Sequence, residues 1–132
     1  MRALANARRY APALIWLGVI GALTLQPTGG GWRDRNPLCL LCGDRVTTDI
    51  LLNVALFTPF GAALAHARGG AIDALLISLV CAGLIEAVQM MIPSRDPAAR
   101  DILTNATGGL AGALAYARLP EWIAASSGWW RR

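Results

Sequence analysis

The frame Asp-Ile-Leu-x-Asn occurs twice, as Asp49-Ile50-Leu51-Leu52-Asn53 and as Asp101-Ile102-Leu103-Thr104-Asn105. Each copy opens an Ala/Leu-rich apolar stretch, and Glu86-Ala87-Val88-Gln89 closes a third. Residues three or four apart share one face of a helix. Each stretch therefore presents an acid and an amide together. Carboxylates can serve as general acid and base when their surroundings differ, so Asp49, Glu86 and Asp101 are the candidate catalytic groups. Asn53, Gln89 and Asn105 can hydrogen-bond a sugar or peptide. Arg95 and Arg100, in the segment after the third stretch, can hold a phosphate or carboxylate or pair with Glu86. A charged acid deep in a bilayer costs roughly 2.5–3.5 kcal/mol. Its presence in apolar sequence therefore marks a site.

Each residue also has a structural reading. Thr47, Thr48 and Asp49 precede the second stretch, where an acid stabilises a helix N-terminus; Asp101 stands in the same place in the fourth. Asn53 and Asn105, a turn deeper, fit hydrogen bonds between helices, each worth about 0.6 kcal/mol in lipid. Glu86 and Gln89 could form a clamp to Arg95. Convergence of seven polar groups on one membrane face favours a functional cluster over packing alone.

Other features read as structural. In Phe57-Thr58-Pro59-Phe60-Gly61 a proline interrupts a helix and should kink it. Thr58 can satisfy the freed carbonyl, and Gly61 admits a close neighbour, as do Gly108, Gly109 and Gly112. Cys39-x-x-Cys42 lacks a second pair for zinc, and outside the membrane it reads as a local disulfide or, with less support, a redox pair. Cys81 is a small apolar residue, and His66 an interfacial one. No metal site and no cofactor motif is evident.

The elements that must position these groups follow from composition. The 132 residues are 55% hydrophobic and only 15% charged, with a mean hydropathy of +0.46. This describes a small all-α, polytopic membrane protein: one domain, residues 1–132, forming a four-helix transmembrane bundle. Helices are expected at about 11–26, 49–67, 71–92 and 101–117, with an outer loop at 27–48 and an interfacial, Trp-bearing tail at 119–132. The first reads as an uncleaved helix, because Leu23–Pro27 offers no A-x-A-like cleavage site. All twelve basic residues are Arg, and they lie between apolar stretches; the net charge of +4 therefore does not indicate nucleic acid. The terminal Arg clusters favour N-in and C-in. Asp49, Glu86, Gln89, Arg95 and Asp101 then lie near the outer face. The two Asp-Ile-Leu copies begin 52 residues apart on helices running in the same direction.

The ordered set Asp49-x-x-x-Asn53-x-x-x-Phe57-x-Pro59-x-Gly61, Glu86-x-x-Gln89, Arg95 and Asp101-x-x-x-Asn105-x-x-Gly108-Gly109-x-x-Gly112 resembles the VanZ-like family. The likeness covers helices two to four; the first helix and the Cys loop lie outside it. It implies a small integral membrane protein of the bacterial cytoplasmic (inner) membrane. It implies a polar signature of Asp49, Asn53, Glu86, Gln89, Arg95, Asp101 and Asn105, with Arg100 competing for the loop-arginine place. The family's name is linked to teicoplanin resistance, and its activity is not settled.

Two functions follow as expectations. One is a non-enzymatic protein that binds or shields an envelope lipid or glycopeptide at the outer face, with a role in antibiotic resistance. The other is a membrane enzyme using Asp49, Glu86 and Asp101 on a lipid-linked substrate. A proton-linked transporter is a third and would need oligomerisation. Expected partners are membrane lipids, a lipid-linked envelope precursor or lipoglycopeptide, and a second copy in a homo-oligomer.

Overall fold

A computed structural model describes residues 2–27, 46–92, 95 and 98–119, with side chains from Arg8 onward. Among the described residues there are four helices and no strand: α1 (Arg2–Thr24), α2 (Val46–Arg68), α3 (Ala71–Gln89) and α4 (Ala99–Ala117). Cys39, Cys42, most of the expected outer loop and the tail beyond Leu119 lie outside the described residues.

Several helix ends differ from expectation. α1 starts at Arg2 rather than near Ala11, and Pro12 sits inside it. The early turns are rich in Ala, the best helix former. α3 ends at Gln89, and the bonds Met91 N–H to Val88 O and Ile92 N–H to Gln89 O tighten the chain into turns before Pro93. α2 begins at Val46, so Thr47, Thr48 and Asp49 fall within its first turn rather than ahead of it. α4 begins at Ala99, which takes Arg100 out of the loop and into the helix. α2 runs unbroken through Pro59. Thr58 Oγ1 donates to Val54 O at 2.7 Å, and the Trp16 indole of α1 donates to Leu56 O at 2.7 Å, both beside the carbonyl that Pro59 cannot bond.

α2 and α3 join through Gly69, whose φ of 81° is the left-handed state that closes a helix. The two helices are therefore antiparallel. α4 packs against α2 and α3, while α1 packs chiefly against α2. α2 and α4 run in parallel, and their cross-contacts keep nearly constant register. Asp49 meets Arg100 and Asn53 meets Thr104, each 51 residues apart, and His66 meets Tyr116, 50 apart. The two Asp-Ile-Leu repeats thus lie side by side at one end of the bundle.

Glycine makes this approach close. A Cβ on Gly61 would strike the Gly109 carbonyl, one on Gly112 the Thr58 carbonyl, and one on Gly108 the Val54 carbonyl at 2.5 Å. A Cβ on Gly109 would strike the Ser78 hydroxyl of α3. Such backbone-to-backbone packing stabilises helix pairs where the hydrophobic effect between helices is absent.

The distribution of polarity is reversed from that of a water-soluble bundle. Ser78, Glu86, Gln89, Arg100 and Asn105 are buried, whereas Leu14, Ile15, Leu51, Leu52, Ile72 and Leu84 are exposed. So large an apolar surface marks a face for lipid or for another protein. By length and composition, α2 and α3 are apolar enough to cross a membrane. Arg8 and Arg9 dilute α1, and Arg100, Asp101 and Asn105 dilute α4.

Gly112→Ala should force α2 and α4 apart, costing about 1–3 kcal/mol as overpacking. Gly83→Ala, whose Cβ would meet nothing within 4 Å, should be neutral or slightly stabilising. Thermal unfolding in detergent reads both. Equal midpoints for the two variants would show that the α2–α4 contact is slack.

Candidate functional site

The polar end of the bundle is formed by the starts of α2 and α4 and the ends of α1 and α3. Arg100, its side chain only 10% exposed, lies at the centre. Its Nη2 stands 3.5 Å from Asp49 Oδ2 and its Nε 3.3 Å from Asp101 Oδ1. Asp49 is 46% exposed and Asp101 23%, so the two carboxylates form the outward rim over a buried cation. Both also lie in the first turn of a helix, where the dipole favours an anion. The Asn53 amide donates to Thr104 Oγ1 at 3.4 Å and also reaches Asp101. Thr104 Oγ1 in turn bonds the Asp101 carbonyl at 3.2 Å.

Glu86 has a different partner from the expected arginine. Its Oε2 accepts the Ala98 N–H at 2.9 Å. Ala98 is the N-cap of α4 and has no side-chain cap of its own. Glu86 therefore caps α4 from the neighbouring helix, satisfying an N–H that would otherwise be orphaned in apolar surroundings. Asp101, Arg100 and Arg95 all lie within its electrostatic range.

Gln89 and Arg95 turn to α1. Gln89 Nε2 donates to Thr24 O at 2.9 Å. Arg95 Nε donates to Gln26 O at 2.9 Å and its Nη2 to Leu23 O at 3.4 Å. The last carbonyls of a helix have no partner inside it, and these two side chains supply one from α3 and the turn after it. In place of the expected clamp of Glu86 and Gln89 to Arg95, Gln89 and Arg95 share a grip on α1 while Glu86 bonds Ala98. Neither Thr24 nor α1 as a whole stood out in the sequence as part of this end.

Asn105 lies one turn below Asp101 on the same face, 3% exposed. Its Oδ1 has no hydrogen-bond partner among the described residues, and neither has the fully buried Ser78 Oγ. Sequence reasoning passed over Thr104, a contributor to this end, and Ser78, a buried hydroxyl against Gly109. The available signals were a lone hydroxyl in the middle of an apolar helix and the variable position of the repeated frame. At the opposite end, His66 Nδ1 and Tyr116 Oη are 2.7 Å apart, and Arg68 bonds Asp73 at 2.8 Å and Tyr10 Oη at 3.5 Å. No group of three or more His, Cys, Asp or Glu among the described residues could hold a metal ion.

Four helices among the described residues, two of them apolar enough to cross a membrane, and a buried polar cluster at one end describe a small all-α protein of the membrane type. The chain belongs to the VanZ-like family: the VanZ/LLP1 family model matches residues 4–120. That span takes in α1 and the Cys39–Cys42 loop, which the residue pattern alone left outside the likeness. No curated protein and no solved structure matches the chain.

Arg100→Met should leave Asp49 and Asp101 without their shared cation. Removing one partner of a buried pair costs about 3–5 kcal/mol, and the exposure of Asp49 reduces this to about 2 kcal/mol. The double change Arg100→Met/Asp101→Asn should recover part of the loss. Unfolding midpoints of the single and double variants measure it; strict additivity would refute the coupling.

Proposed function

We propose that this VanZ-like protein is a non-enzymatic binding or shielding protein of the bacterial envelope. It takes the polar headgroup of an envelope lipid, lipid-linked precursor or lipoglycopeptide at the polar end of the bundle. Residues 1–132 act as one membrane domain with four spans in the cytoplasmic membrane. The termini face inward and the Asp49–Asp101 rim faces outward. Arg8, Arg9, Arg68 and Arg118, exposed at the end opposite the rim, support that orientation. Shielding at this face is the reading's link to glycopeptide resistance, and it rests on family analogy.

One observation carries the reading: a partly exposed rim of Asp49, Asn53 and Asp101 beside the exposed leucines of α2 and α4. A lipid whose tails lie along Leu51, Leu52 and Leu103 would bring its headgroup to that rim, since these residues are exposed on the same two helices. The enzymatic reading gains less support. Glu86 and Arg100 are engaged in holding the helices, and the hydroxyl beside the carboxylates among the described residues, Thr104, is bonded to the Asp101 carbonyl.

Native mass spectrometry of the gently detergent-extracted protein tests this. The wild type should carry an adduct with the mass of an envelope lipid, and Asp49→Asn/Asn53→Ala should lose most of it while remaining folded. An adduct retained equally by the double variant would move the site away from the rim. A bare wild type would end the tight-binding reading.

A further inference from the structure

We infer that the group recognised at this rim is a hydrogen-bond-donating cation, a protonated amine on a membrane amphiphile, rather than a phosphate or carboxylate. The inference rests on the outer-rim binding reading above and names the chemistry of its ligand.

The reason lies in where the cations point. The sequence offers Arg95 and Arg100 as anion ligands. In the folded chain Arg100 is buried beneath Asp49 and Asp101. Arg95 spends two of its nitrogens on the carbonyls of Leu23 and Gln26. Arg100 is thereby kept from the surface, and Arg95 has the Nε–Nη2 side of its fork, one of the geometries by which arginine holds a phosphate, turned to α1. The charged side chains that face outward are acceptors: the Asp49 and Asp101 carboxylates stand above the buried cation. Formal charge agrees, with Asp49, Glu86 and Asp101 set against Arg95 and Arg100 among the described residues of this end.

A second observation is independent of the acids. Asn105 Oδ1, on the face of Asp101 and one turn deeper, is a buried acceptor with no partner among the described residues. Burying an amide oxygen without a donor is unfavourable. A donor arriving from the rim would relieve it. An ammonium group carries three N–H donors and no acceptor, which suits two carboxylates and one amide oxygen. A phosphate would meet like charge at the rim and bring no donor to Asn105 Oδ1.

The source of the amine is either a membrane lipid headgroup or a lipoglycopeptide, and two arms separate them. In the first, delipidated protein is offered matched-chain phosphatidylethanolamine, phosphatidylcholine or phosphatidylglycerol, and retained adducts are counted by native mass spectrometry. Phosphatidylcholine keeps the positive charge and loses the N–H donors. Phosphatidylethanolamine should be retained about tenfold over phosphatidylcholine, the scale of one charge-assisted hydrogen bond, with Asp49→Asn abolishing the preference. Asn105→Leu should weaken it severalfold. In the second, an amine-bearing lipoglycopeptide is compared with its N-acetylated form by thermal shift. A shift only with the free amine, and no lipid preference, would assign the amine to the lipoglycopeptide.

Preference for phosphatidylglycerol, or equal retention of all three lipids with no amine dependence in the second arm, would overturn the donor inference. If the protein as extracted still carries an envelope lipid lost in Asp49→Asn/Asn53→Ala, the binding reading survives that result. If no adduct is found and no lipoglycopeptide shifts the melting point, both fall together.

Discussion

The bundle depends on the contact between the α2 and α4 backbones. Gly61, Gly108 and Gly112 let carbonyl and Cα atoms of the two helices touch where any Cβ would collide. In an apolar surrounding this fit must do what hydrophobic burial does in water, because lipid tails compete equally for leucine. Once α2 and α4 lie in parallel at this separation, their first turns are brought together. The buried Arg100 guanidinium then meets a carboxylate from each helix.

The remaining helices are secured by the same demand for internal satisfaction of polar groups. Glu86 accepts an N–H at the start of α4, and Gln89 and Arg95 donate to carbonyls at the end of α1. The residues that look most chemical in the sequence are thus largely committed to helix ends. This is economical in a membrane, where an orphaned backbone group costs several kcal/mol. At this end it leaves Asp49, Asp101 and Asn53 partly exposed and Asn105 Oδ1 without a partner among the described residues.

The two ends of the bundle are chemically distinct. One gathers acids over a buried cation. The other carries Arg8, Arg9, Arg68 and Arg118 at the surface, with Arg68 tied to Asp73. The His66–Tyr116 pair closes α2 against α4 at that second end, as Asp49–Arg100 does at the first. Both pairs follow the single offset between the two parallel helices.

Much of this was legible in the chain. The apolar stretches gave four helices, because hydrophobic runs of this length have few other stable forms. The 52-residue repeat gave two helices of equal direction, since one helix and two turns separate the copies. The acids and amides at helical spacing marked one end as polar. What the sequence could not decide was which polar group meets which. Arg95 and Arg100 are equivalent as letters, yet one reaches α1 and the other is buried between α2 and α4. Glu86, for which the sequence offers arginine partners, instead accepts an N–H at a helix N-terminus. Such partnerships join residues as far as 72 positions apart. They are set by the crossing and register of helices, which are three-dimensional properties. Residue type and spacing determined which groups could act; only the packing of α1 against α2, and of α4 against α2 and α3, decided which remained available to a ligand.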